Sequence, residues 1–261
     1  MSAFILKIIA LTAMVFDHVN AVFPDHTPFE FRLIGRLTFP IFVYLIAEGF
    51  NHTRNPKKFL LRLLAFALIS EAPYDWTINR AANILNGYSP WHVDFLNGTN
   101  IFYTLLLGGV AIFIFQYING LFSQSPDSPS ENDKITYLTT IAIAAAPVLA
   151  LMWLAEFLGT DYGGYGVLFI VLMYVIKSKG LKLTVFAIMN VLQHRWIIEW
   201  LREGHSFAGM FLWIMMIPAT LLTVPLIIFY NGKRGPSLKW LFYAAYPAHL
   251  AILAVLAHVF L

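Results

Sequence analysis

With 261 residues, 59% of them hydrophobic and only 12% charged, and a mean hydropathy of +0.70, the chain is too apolar for a water-soluble domain of its length. Cysteine is absent, which excludes a disulfide framework, a thiolate metal site and a cysteine nucleophile. The formal net charge is +3; a lipid bilayer is the expected partner and nucleic acid is not.

Apolar windows of bilayer-spanning length, roughly 20 residues each, recur from end to end. They cover about 3 to 23, 33 to 50, 59 to 74, 101 to 122, 135 to 158, 162 to 176, 181 to 198, 208 to 230 and 238 to 260. This predicts an all-α fold: a polytopic integral membrane bundle of about nine transmembrane helices, in a single domain over 1–261. The first window carries one early lysine and lacks a small-residue cleavage site, so it reads as a retained span and not as a signal peptide.

That first span contains Asp17, His18 and Asn20. Ionisable groups in hydrocarbon are costly unless they pair, meet water or act. Asp17 and His18 are helical neighbours pointing about 100° apart, so each needs a partner from another helix. Histidine titrates near neutrality, which suits His18 to general-base work.

Span two carries Arg36 near one end and Glu48 near the other, separated by about 18 Å of helix. Arg36 can balance Asp17 or polarise a carbonyl. Glu48 and His52 share a face that points to the turn "NHTRNPKKFLLR", where Arg54, Lys57, Lys58 and Arg62 cluster. Such a cluster is either topological or a dock for phosphate, which lysine and arginine hold by charge-assisted hydrogen bonds.

Span three ends in "SEAPYDW", placing Glu71 and Asp75 about a proline as candidate cavity liners. Two polar loops follow in the chain, 77 to 100 and the Ser/Pro/acidic 123 to 134. "NVLQHR" sets Asn190 and His194 on one face of span seven, as a substrate-binding stripe or as interhelical glue. His249 is a histidine of the last span. No His/Asp/Glu spacing suggests a metal. Most of the bases lie in loops of one parity, which places the N-terminus in the cytoplasm.

Four stretches, "LKIIALTAMVFDHVNAVFP", "LIGRLTFPIFVYLIAEGFNHTRNPKKFLLRLLAFALISEAPYD", "DYGGYGV" and "KWLFYAAYPAHLAIL", together closely resemble the TraX family of bacterial membrane proteins. The block GR-x-x-FPIF, EG-x-x-HTR, R-x-x-x-FA-x-x-SE-x-P is the most specific part. The resemblance implies a bacterial inner-membrane protein. The founding member is associated with N-terminal acetylation of conjugative pilin, and the family looks distantly related to the acyltransferase-3 enzymes. Those carry a histidine in the first span, a basic motif after the second and often a YPxH-like last helix. His18, the cluster from Arg54 to Arg62 and His249 stand at matching places, whereas Glu48-Gly49 replaces the serine-glycine those enzymes tend to have.

The expectation is a membrane acyltransferase using acetyl-CoA. Its donor site would comprise Arg54, Lys57, Lys58, Arg62, His52 and Glu48, and its catalytic group His18, Asp17 and Arg36. The substrate pocket would hold Glu71, Asp75, Asn190, His194 and His249, the last a second choice for the base. The acceptor would be an amine or hydroxyl of a pilin, envelope glycan, lipid or peptide. The alternative is a proton-coupled transporter or flippase, which uses the same intramembrane charges.

Overall fold

The computed structural model describes residues 1–122, 131–203, 211 and 213–260. The first eight residues of the 123 to 134 loop therefore lie outside the described residues, as does the start of the predicted eighth span. Every regular element among the described residues is helical.

Helix α1 (Ala3–Val22) starts where Ser2 caps it. A 3-10 turn at Pro24–His26 leads to α2 (Glu30–Gly35) and α3 (Thr38–His52), the two halves of the predicted second span, broken at Arg36 and Leu37. Asn55 then caps α4 (Pro56–Asp75), its side-chain oxygen accepting from the Lys58 N–H at 2.9 Å, with Pro56 in the first turn, where no donor is missed. The long polar loop holds only the short α5 (Arg80–Leu85). The bundle continues through α6 (Ile101–Phe122), α7 (Glu131–Phe157), α8 (Gly163–Val175), α9 (Lys179–Leu192) and α10 (Trp196–Arg202). It closes with α11 (Met216–Leu221), α12 (Thr223–Ile228) and α13 (Lys239–Phe260).

Among the described residues five segments are long and apolar enough to cross a membrane: Ala3–Val22, Glu30–His52, Ile101–Leu121, Leu138–Phe157 and Lys239–Phe260. The other predicted spans are short or interrupted. Gly163–Val175 and Met216–Ile228 are apolar but shorter, and α4 has the length but carries Lys57, Lys58, Arg62, Glu71 and Asp75. A helix bearing such charges needs protein or water around it in place of lipid. It finds both: α4 packs between α6 and α13, and its first turns face a cavity.

The main core cluster runs through α1, α3, α4, α6, α8 and α9, with Leu6, Ile41, Leu63, Ile112, Phe169 and Phe186 fully buried, and smaller clusters join α6 to α7 and α8 and the ends of α1 and α13. Exposed residues of the long apolar helices are apolar too, as Trp153, Val255 and Phe260 are, which suits a lipid surround. Where α1 meets α2, a Cβ on Gly35 would lie 2.3 Å from Asp17 Cβ, so only glycine allows this approach.

Candidate active site

The last helix brings His249 to His18. His18 Nδ1 and His249 Nε2 are 2.7 Å apart, and His249 Nδ1 lies 2.8 Å from the Ala245 carbonyl oxygen. A carbonyl only accepts, so His249 Nδ1 carries a proton and, in the neutral ring, its Nε2 accepts one. His18 must then donate from Nδ1, which leaves His18 Nε2 with a free lone pair. The rings are stacked, 5.0 Å between centroids and 12° apart, and Tyr246 stands edge-on to both. The arrangement leaves His18 an acceptor nitrogen and has His249 fix its tautomer.

Asp17 does not touch His249. Arg36 donates to both its oxygens, at 2.8 and 2.9 Å, and Arg32 donates to one at 2.9 Å. The Arg36 guanidinium is thus engaged with Asp17, and Arg36 does not line the cavity described next. The expectation that it polarises a carbonyl gives way to the alternative ion pair. Two cations on one partly buried carboxylate hold α1 against α2 and set the rotation of α1 that presents His18.

A cavity of about 840 Å3 runs past these groups. Asp17, His18, Asp161 and Tyr162 line one end, and Lys7, Arg54, Lys58, Arg62, Arg234 and Lys239 line the other. Eleven residues of α1 separate Lys7 from His18, so the ends stand about 16 Å apart along the helix. Between them the walls are apolar, with Leu11, Met14, Phe42, Leu45, Leu105 and Phe242. Glu48 and His52 also line the basic part, His52 Nδ1 donating to the Glu48 carbonyl, 2.9 Å away.

Four separate segments build the basic mouth. Arg54, Lys58 and Arg62 come from the α3–α4 turn and α4, whereas Lys57, one residue out of phase, is exposed and lies outside the lining. Arg234 comes from the α12–α13 loop, which is tied to the start of α1 by the N–H of Ala3 on the Lys233 carbonyl (2.8 Å) and that of Phe4 on the Arg234 carbonyl (3.1 Å). Lys7 belongs to α1 and Lys239 to α13. Nothing in the spacing of Lys7, Arg234 and Lys239 along the chain shows that they converge.

The segment "DYGGYGV" supplies the opposite wall. Tyr162 adopts a left-handed conformation (φ 68°) and lays its ring flat on Phe39, 3.5 Å between centroids. The Asp161 N–H bonds the Thr99 carbonyl at 2.9 Å, and Thr104 donates its hydroxyl to the Asp161 carbonyl. A non-glycine residue with positive φ carries strain that its surroundings must hold. Here these bonds and the stacked ring do so beside the cavity.

Glu71, Asp75, Asn190 and His194 fall elsewhere. None lines the cavity. Glu71 accepts from the Asn100 backbone and side chain, and Asp75 accepts from the Asp94 N–H (2.7 Å) and the Asn79 amide (2.6 Å). These two buried carboxylates therefore anchor the ends of the 77–100 loop. Asn190 bonds the Phe186 carbonyl and Thr223, and His194 bonds Thr220 at 2.9 Å, which joins α9 to α11 and α12. Their stripe is interhelical glue. Within the loop, a hydrogen bond from the Asn97 side chain and another from the Leu96 N–H hold the Asp94 carboxyl below the ordinary carboxylate range.

Among the described residues no group of three or more His, Asp or Glu side chains could hold a metal ion.

Comparison with known families matches residues 2–257 to the TraX protein family. The chain belongs to the TraX family. It is also 31% identical over 262 residues to the probable fimbrial assembly protein FimC, serogroup H1, of Dichelobacter nodosus, covering 97% of this chain and 94% of that one. No solved structure matches. The TraX-family match spans both histidine-bearing helices and all six bases of the mouth.

Proposed function

We propose that this TraX-family chain is a membrane-embedded acyltransferase of the bacterial inner membrane, using acetyl-CoA to acetylate an amine or hydroxyl of an envelope substrate. The observation that carries the proposal is one cavity with six cationic side chains at one mouth and the free His18 Nε2 lone pair at its far end. A donor with several phosphates, a flexible arm and a terminal thioester fits that polarity. The phosphates would meet Arg54, Lys58, Arg62, Lys7, Arg234 and Lys239 by charge-assisted hydrogen bonds. The basic mouth would face the cytoplasm, in keeping with the preference of lysine and arginine for that side.

In the reaction, His18 Nε2 takes the proton from the acceptor N–H or O–H as the nucleophile adds to the thioester carbonyl carbon. The tetrahedral intermediate collapses with cleavage of the C–S bond. The imidazolium returns its proton to the departing CoA thiolate, leaving acetylated acceptor and free CoA. His249 holds His18 in the required tautomer and accepts from Nδ1 throughout, the part a carboxylate plays in hydrolytic triads. Asp17, clamped by its arginines, fixes the rotation of α1 that presents His18. The fimbrial-assembly name of the Dichelobacter relative favours a pilin or another envelope protein as acceptor.

The test is acetyl-CoA binding and slow thioester hydrolysis by the purified protein in detergent or nanodiscs. Binding lost in an Arg54/Lys58 double alanine variant, with hydrolysis lost but binding kept in His18→Ala, is the expected pattern. A folded wild-type protein that does not bind acetyl-CoA overturns the proposal and makes proton-coupled flux in liposomes the next measurement.

A further inference from the structure

Asp17 lines the large cavity, but Arg32, bonded to it at 2.9 Å, lines a separate cavity of about 260 Å3 at the histidine end of the bundle. Their ion pair thus joins a residue lining one cavity to a residue lining the other. The smaller cavity, open on one side, is otherwise lined by Asn20, Pro24, Thr27, Phe29 and Trp213, so Arg32 is the charged residue of its lining. The floor is well held: the Asn20 amide donates to Thr27 Oγ1 at 2.8 Å, and Phe29 and Trp213 meet edge to face at 5.4 Å.

Arg32 is placed to do more than clamp Asp17. Its side chain is 28% exposed, against 18% for Arg36 and 15% for Asp17. Among the described residues its guanidinium makes one hydrogen bond, from Nη1, which leaves Nε and Nη2 for a ligand. Asp17 does not depend on it, because Arg36 donates to both carboxylate oxygens. Arg32 can turn to an incoming group while Asp17 stays compensated.

We infer that this smaller cavity binds an anionic group, a carboxylate or a phosphate, carried by the acceptor beside its nucleophile, and that Arg32 is the residue that reads it. A forked guanidinium matches both oxyanions, and the aromatic walls suit the apolar part next to them. Naming the ligand as the acceptor rests on the acyl-transfer reading. The anion site itself does not, and its test requires no turnover.

The absence of cysteine makes a single-cysteine experiment clean. Thr27→Cys places a thiol on the cavity wall, and its reaction rate is measured with an anionic sulfonatoethyl and a cationic trimethylammonioethyl methanethiosulfonate. Asp25 and Glu30 are exposed on the same stretch of chain and on their own favour the cation. A preference for the anionic reagent therefore reports Arg32. Adding Arg32→Gln should swing the ratio of the two rates by roughly ten-fold at low salt, and Arg32→Lys should keep most of the preference. Protection of the thiol by acetate alone identifies a carboxylate site, and protection by inorganic phosphate alone a phosphate site. A rate ratio that Arg32→Gln leaves unchanged, or no protection by either anion, overturns the inference. Either result leaves the acyl-CoA proposal standing, since that is decided by acetyl-CoA binding.

Discussion

Replacing His249 separates a base from the residue that orients it. In His249→Ala the His18 Nδ1–H loses an acceptor at 2.7 Å, and the imidazole is free to rotate or to carry its proton on Nε2, where it cannot act as a base. A hydrogen bond of net worth about 1 to 1.5 kcal/mol corresponds to roughly a ten-fold change in the population of the competent tautomer. Loss of orientation adds to this, so thioester turnover should fall between about ten-fold and a hundred-fold, less than the 10²–10⁴-fold typical of losing a general base outright. His249→Gln, which offers a side-chain carbonyl to the same proton, should recover much of the rate. The assay is CoA release from acetyl-CoA by each purified variant, with acetyl-CoA binding measured alongside to show that the donor site is intact. The tautomer argument is refuted if His249→Ala matches or exceeds the loss in His18→Ala and glutamine restores nothing, because His249 would then be the base.

Other outcomes follow from the same geometry. Lys58→Ala should weaken acetyl-CoA binding by roughly ten-fold or more, the worth of a charge-assisted hydrogen bond, whereas its neighbour Lys57→Ala, outside the cavity lining, should change calorimetric binding little. Gly35→Ala puts a Cβ 2.3 Å from Asp17 Cβ; relief to ordinary contact requires a shift of about 1 Å, which takes the Asp17–Arg36 bonds beyond hydrogen-bond range. A broken buried pair costs up to about 3 to 5 kcal/mol, so thermal unfolding should move down sharply; an unchanged midpoint contradicts that packing. In the 77–100 loop, Asp94 has its folded pKa held below the unfolded value. Its contribution is therefore present above the unfolded carboxylate range and is lost as pH falls through the folded pKa. The protection of the Leu96 and Asn97 amides against hydrogen exchange, taken relative to the intrinsic exchange rate at each pH, should fall on strong acidification, and Asp94→Ala should show that lower protection already at neutral pH.

The composition alone makes this a helical membrane protein, because 59% hydrophobic residues in bilayer-length windows have no other stable arrangement. His18 stood out for the same reason: lipid makes a polar group in a span conspicuous. What local sequence could not determine was partnership. His18 and His249 are 231 positions apart, and their bond exists because α13 packs against α1. Glu71 and Asp75 look like cavity carboxylates in the chain, yet the fold turns them toward the backbone of a distant loop. Arg36 has two readings in the chain, and the packing of α2 against α1 decides for the Asp17 pair. The six bases of the mouth lie on four segments that nothing in their order unites. Sequence determines which residues cannot rest in lipid unpartnered; helix packing decides which of them pair with each other, and so which are left with a lone pair or a charge turned toward a cavity.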